Sequence, residues 1–284
     1  MTVAGETGGA LRRALLLAPA YSVLAGLFLV PMALLFAVSF WTVRSFRLRP
    51  DFTTAAYERV FGDYAGVLAT TLSIGVATAL LCTFLGFVFA YGVRFRAGRF
   101  GDALIVMALI TLFGGYLVKI YAWKAILSQD GLVNSLLLGA GIASAPVGWL
   151  IYNPGAVVVA LVHFLLPFAI LPIYAELRNV RDITIEAARD LGATPAQTLF
   201  RVVLPQCRLG LFSAFAIAFL SAAGDYVTPM FLGGGSGMML GQFVAQEFST
   251  RFNWPAGAAM SFTLMGACLL VLAAAAMLVL RGRR

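Results

Sequence analysis

Apolar residues run in long blocks along this chain, and polar residues are confined to the segments between them. Six blocks approach or exceed the roughly 20 residues that a helix needs to cross a bilayer. They cover approximately 14–40, 67–93, 103–125, 155–175, 209–230 and 257–280. The pattern predicts an all-α, polytopic membrane protein with six transmembrane helices in a single domain spanning 1–284. The first block follows Arg12 and Arg13 and far exceeds a signal-sequence core of about 7–15 residues. It is expected to remain as the first span, kinked at Pro31. Lys119 and Lys124 fall at the outer end of the third block, and Asp225 falls inside the fifth.

Between the fourth and fifth blocks lies a long polar run, EAARDLGATPAQTLFRVVLP, from Glu186 to Pro205. Its first residues are good helix formers, and Gly192 is placed to end that helix in a left-handed cap. Thr194-Pro195-Ala196-Gln197 then has the composition of a capping box with proline at the first helical position. A second helix is expected over about 195–203, ended by Pro205. Ala196, Leu199, Phe200 and Val203 recur at the spacing of one helix face. A helix of two to three turns is not stable alone. Leu199 and Phe200 are therefore expected to bury against a partner protein or against the chain's own helices.

Composition supports the membrane assignment. The chain is 61% hydrophobic and 11% charged, with a mean hydropathy of +0.93. Soluble domains carry about 25% charged residues, so an aqueous surface is excluded. The net charge of +8 is scattered in short clusters, which suits membrane topology and not nucleic-acid binding. With both termini placed inside, 13 of the 20 basic residues fall on the inner side and 7 on the outer. This excess predicts cytoplasmic termini and a cytoplasmic elbow. The cysteines Cys82, Cys207 and Cys268 have no metal or disulfide spacing and read as buried small residues.

The spacing E-A-A-x3-G-x9-V-x-L-P resembles the EAA loop of permease subunits of type I ATP-binding-cassette importers. Glu186, Ala187, Ala188, Gly192, Leu204 and Pro205 match it, and Val202 stands where isoleucine is usual. The resemblance implies that the loop 182–205 is a coupling helix docking into a groove on an ATPase. YLVKIYAWKAIL (116–127), LPFAILPIYAEL (166–177), GDYVTPMFLGG (224–234) and NWPAGAAMS (253–261) are similar to the spermidine/putrescine branch. Lys119 stands where that branch has arginine. The implied protein is a multi-pass subunit of the bacterial inner membrane. Its implied partners are a second permease, two ATPase subunits that carry ATP and Mg, a periplasmic solute-binding protein and membrane lipid.

The chain lacks G-x-x-x-x-G-K-[ST], so ATP hydrolysis and its cofactors are expected on the partners and no cofactor or metal on this chain. GGGSG (233–237) reads as a flexible outer loop. His163, the single histidine, reads as a hydrogen-bonded packing residue. Asp225 has two readings: an interfacial aspartate that pairs with Lys119 or caps a helix near Pro229, or a contact along the path of a cationic solute. Tyr226, Trp123 and Tyr121 accompany it either as cation–π faces or as an interfacial aromatic belt. A stand-alone secondary transporter would need more buried charge than this. An intramembrane enzyme would need a nucleophile–base pair or a metal cluster. Only Asp225 is acidic within the six blocks, which leaves opines, phosphonates and amino-acid-like solutes open beside polyamines.

Overall fold

The computed structural model describes residues 4–45 and 47–281. Of the inner charges counted above, Arg283 and Arg284 lie outside the described residues, as do the side chains of Arg12, Arg13 and Arg281. The order is α1 (Ala4–Val38), a hairpin of β1 (Thr42–Arg44) and β2 (Arg47–Arg49), α2 (Ala55–Asp63), α3 (Ala65–Arg96), α4 (Gly101–Ile110), α5 (Tyr116–Leu127), α6 (Leu132–Gly139) and α7 (Pro154–Asn179). Then come α8 (Asp182–Asp190), α9 (Pro195–Thr198), a π-helical turn (Leu199–Val203), α10 (Leu204–Gln206), α11 (Arg208–Ala223), α12 (Val227–Leu232), α13 (Leu240–Ser249) and α14 (Trp254–Arg281).

Four of the six expected spans are continuous helices, in α1, α3, α7 and α14. The helical assignment in α1 runs through Pro31 without a break. The third span departs from expectation. Its two helical segments meet at a bend of 92°, where Gly114 and Gly115 turn to extended backbone torsions. The fifth block is also not one helix. Helix α11 stops at Ala223, residues 224–226 are non-helical, and α12 is a separate short helix. Glycine supplies both breaks because it neither favours nor stabilises helix interiors.

The centre of the bundle is α3, α7 and α11 packed on one another. Their contact faces are built from small residues, with Ala79, Ala90, Ala169, Ala214, Ala218 and Ala222 fully buried or nearly so. Lipid tails are as apolar as side chains, so helices in a bilayer associate through close packing, which small residues permit. At Gly210 of α11, a Cβ would stand 2.7 Å from the Pro172 carbonyl oxygen and from a Glu176 side-chain carbon of α7. Helix α1 lies outside this centre and touches α14, with the Phe36 and Phe262 rings 5.0 Å apart edge to face.

At the other end of the bundle from the elbow, α2 and α13 pack on α14. There the buried carboxylate of Glu247 accepts from Arg251 at 2.7 Å, one turn later on the same chain segment. The glycine run expected to be a flexible loop is instead closely packed. A Cβ on Gly233 or Gly237 would meet the backbone of the other at 2.5 Å. Gly234, at φ +57°, lies equally close to the Tyr152 carbonyl oxygen. These glycines serve backbone approach and a left-handed torsion.

Gly210→Leu should therefore separate α7 from α11 and cost about 1–3 kcal/mol. Gly266→Leu on α14, where a Cβ meets nothing within 4 Å, should be silent. Thermal unfolding of the detergent-solubilised chain, followed by size-exclusion profile, checks the contrast.

Candidate functional site

Two arrangements carry candidate chemistry: the elbow between the fourth and fifth spans, and the break at the C-terminal end of α11. In the elbow, α8 ends as the sequence predicts. Gly192 sits at φ +81°, its N–H donates to the Arg189 carbonyl at 2.8 Å, and the Ala193 N–H donates to Ala188 at 3.0 Å. This is the double bond of a Schellman cap. Two residues later the capping box closes in both directions. The Gln197 N–H donates to Thr194 Oγ1 at 3.3 Å, and the Thr194 N–H donates to Gln197 Oε1 at 2.9 Å.

The second helix runs past its expected end. Proline has no N–H to give, which should stop an α-helix near Pro205. Here the turn before it widens to a π-helix, with the Leu204 N–H bonded to the Leu199 carbonyl, and helical backbone continues to Gln206. The elbow then meets α11 at 68°.

Its apolar stripe is split between two directions. Val203 is buried, and Leu199 is half-buried against the bundle core alongside Ile185 of α8 and Leu177 of α7. Phe200 points the other way and is 67% exposed, together with Ile183 and Leu191, the last 89% exposed. Ala196, Glu186 and Ala187 are also exposed. Of the two residues expected to bury against a partner or the chain's own helices, the chain itself covers only Leu199. Leu199 turns inward and Phe200 outward. Phe200, Ile183 and Leu191 are large apolar side chains left exposed in a segment of mixed polarity.

The elbow is also tied to the bundle by charge. Arg94, in the last turn of α3, donates to Asp182 at 2.7 Å and to the Val180 carbonyl at 3.4 Å. Asp182 opens α8, where a carboxylate also suits the positive end of the helix dipole. This pair crosses between elements, so hydropathy and helical periodicity gave no sign of it. Beside it lies a polar cavity of about 270 Å³ lined by Arg94, Asp182, Glu186, Arg189 and Thr198.

At the second arrangement, Asp225 sits in the non-helical break and caps α12. Its carboxylate accepts from the Val227 N–H at 2.9 Å and from the Thr228 N–H at 3.4 Å. Tyr116, at the start of α5, donates its hydroxyl to the same carboxylate at 2.5 Å and lies 2.7 Å from the Thr228 hydroxyl. The pairing with Lys119 does not form. Lys119 Nζ donates to the Thr111 carbonyl and stands over the Phe164 ring at 5.2 Å. Asp225 and Tyr116 line a cavity of about 290 Å³ with Phe164 and Ser221.

The aromatic residues expected near Asp225 go to different neighbours. Trp123 donates its indole N–H to His163 Nδ1 at 3.2 Å, so the histidine is hydrogen-bonded, but it is exposed and not buried in the packing. Tyr121 stacks obliquely on Phe231, with centroids 5.1 Å apart. Tyr226 adjoins Asp225 in the break and is 47% exposed. Tyr116 and Thr228 were not singled out from the sequence. Tyr116, Lys119 and Trp123 do recur at three, then four residues, a helix-face spacing that could have flagged Tyr116.

Continuous helices, two broken spans and a capped elbow before the fifth span together define a polytopic helical membrane fold. The whole fold superimposes on a chain of a bacterial ABC transporter for the acidic polysaccharide alginate, with a TM-score of 0.76 at 15% identity over 98% of this chain and 100% of that one. A chain of the MetNI methionine ABC transporter matches with a TM-score of 0.60 at 18% identity, over 80% and 99%. The chain belongs to the family of binding-protein-dependent transport system inner membrane components, whose model matches residues 21–284. It is 33% identical over 239 residues to the spermidine/putrescine transport system permease protein PotB of Haemophilus influenzae, covering 83% of each. It is 32% identical to PotB of Escherichia coli (strain K12), over 78% of this chain and 81% of that protein. The permease YdcU of Escherichia coli is 29% identical over 82% and 78%.

The caps give the elbow its shape independently of any partner. Thr194→Ala should cost about 1 kcal/mol and speed exchange of the Gln197 amide about fivefold, measured by hydrogen–deuterium exchange with Ile185 as an internal reference.

Proposed function

We propose that this chain is the membrane-spanning subunit through which an ATP-driven importer passes a polyamine. The observation that carries the substrate class is the likeness, at 32–33% identity over about four fifths of the chain, to permeases named for spermidine and putrescine. The Asp225–Tyr116–Thr228 cluster supports it. An ammonium group is attracted to a carboxylate and to aromatic faces. This carboxylate borders a cavity instead of being sealed in the core.

In this reading the elbow faces the cytoplasm and Phe200, Leu191 and Ile183 dock on an ATPase subunit. A second permease completes the pathway, and a periplasmic binding protein delivers the solute. The chain itself is the transport component and hydrolyses nothing. ATP closes the ATPase pair, the elbow moves with it, and the spans exchange an inward-open for an outward-open packing. Such a machine requires two discrete arrangements, and a rigid elbow is what transmits the choice between them.

A second reading, a different small organic solute, is favoured by one observation. The Asp225 carboxylate is already engaged by Tyr116 and two backbone N–H groups, which reduces its capacity for a polycation.

The two readings separate in proteoliposomes loaded with the assembled transporter. Asp225→Asn keeps an oxygen to cap α12 and removes the charge. Spermidine or putrescine uptake should fall about tenfold, the loss expected for a charged hydrogen bond, with folded yield unchanged. Normal polyamine uptake by the variant removes the pathway role of Asp225. Absence of polyamine uptake by the unaltered transporter removes the substrate class.

A further inference from the structure

The end of the bundle that carries the elbow has a second polar cavity, on the other side of Arg94. It encloses about 400 Å³ and is lined by Arg94, Arg99, Asp102, Tyr174 and Arg178. Its three guanidinium groups come from three separate places: the last turn of α3, the short loop after it, and the last turn of α7. Gly98, at φ +50°, turns the loop so that Arg99 faces back toward the bundle. The positive charge is only partly matched. Arg94 is paired with Asp182. Among the described residues, neither Arg99 nor Arg178 has a carboxylate within ion-pair distance. Each instead has its guanidinium over a ring: Arg99 at 4.9 Å from Phe100 and Arg178 at 6.0 Å from Tyr174. A ring orients a guanidinium without neutralising it.

Beyond the cavity's own lining, the same loop and the helices α4 and α7 carry exposed apolar side chains. Phe100, Leu104, Leu171 and Phe168 are exposed. Leu171 lies two turns before Arg178 on α7, about 10 Å along the axis at 1.5 Å per residue. A pocket with unneutralised arginines at the mouth and exposed apolar side chains over the next two turns matches an amphiphile with an anionic head and acyl tails. Basic pockets between helices at a membrane surface take phospholipid headgroups, and guanidinium forks bind phosphate oxygens in pairs.

We infer that this cavity is a binding site for an anionic phospholipid, whose phosphate is held by Arg99 and Arg178 and whose chains lie along Leu171 and Leu104. Arg94 lines both this cavity and the elbow cavity, so one residue joins the lipid site to the segment proposed to couple to ATP. The inference requires only that this end of the bundle meets a bilayer surface, and it stands whatever solute is carried.

Native mass spectrometry of the full-length chain, with its co-purifying subunits, released from nanodiscs of phosphatidylglycerol and phosphatidylcholine, tests it. The unaltered protein should retain phosphatidylglycerol selectively. Arg99→Gln/Arg178→Gln should weaken retention about thirtyfold, as expected for two membrane-surface basic contacts. Asp102→Asn removes the unpaired acid of the cavity and should strengthen retention, so a folding defect in the double variant leaves the idea testable. Equal retention by all three proteins overturns the inference. Loss of bound lipid to millimolar inorganic phosphate, with no preference among lipids, overturns it in favour of a soluble anion. Cross-linking of an Arg99→Cys variant to an ATPase subunit overturns it in favour of a protein contact.

Discussion

The structure depends on one contact: the inner face of the elbow, with Val203 buried and Leu199 half-buried in the same apolar core as Ile185 of α8, where the elbow turn packs against α8. A four-residue α-helix followed by a π-turn has no stability of its own. Burial of Val203 and Ile185 contributes about 1.5–3 kcal/mol each, and the Arg94–Asp182 pair fixes where α8 begins. Once that face is fixed, the opposite face is fixed too. Phe200 is exposed because Leu199 and Val203 beside it turn into the core, and Leu191 and Ile183 are exposed around the buried Ile185. The exposed patch is thus a consequence of anchoring and not of looseness. A rigid lever with one end in the bundle and an apolar pad at the other is what a motor subunit would need to push on.

The bundle itself is organised by closeness. Alanine and glycine faces let α3, α7 and α11 approach until backbone meets side chain, as at Gly210 and Glu176. That leaves the polar work to the places where helices break. Gly114–Gly115 and Gly224–Tyr226 interrupt two spans, and each break frees backbone N–H groups that a helix would have used internally. At the second break Asp225 satisfies two of them and adds Tyr116 from across the bundle. Irregular backbone at membrane depth is tolerated where it is buried in protein or lines a cavity, and the Asp225 cavity fits that rule.

Much of this was legible in the sequence, for local reasons. The Schellman glycine at 192 and the Thr194–Gln197 box depend on residues within five positions of one another, so composition alone specified them. The long continuous spans followed from hydropathy. What was not legible depends on distant partners or on competition between neighbours. Hydropathy reads 103–125 and 209–230 as continuous because broken and unbroken apolar segments have the same composition. The elbow stripe has one spacing but two environments, and nothing in i, i+3, i+4 periodicity says that Leu199 is covered while Phe200 is not. The helix continued through Pro205 because a π-turn absorbed the missing donor, a solution that residue preference does not encode. Tyr116 met Asp225 only because the third span bends.

The central claim is that the outward pad of the elbow is a docking face. The native cysteines Cys82, Cys207 and Cys268 are all buried, so a single Phe200→Cys substitution gives one reactive probe on that face. Maleimide labelling of this cysteine in the assembled transporter, before and after the ATPase subunits are stripped away, measures its cover directly. The account predicts slow labelling in the assembly and fast labelling once the ATPase is removed. Equally fast labelling in both states would contradict it.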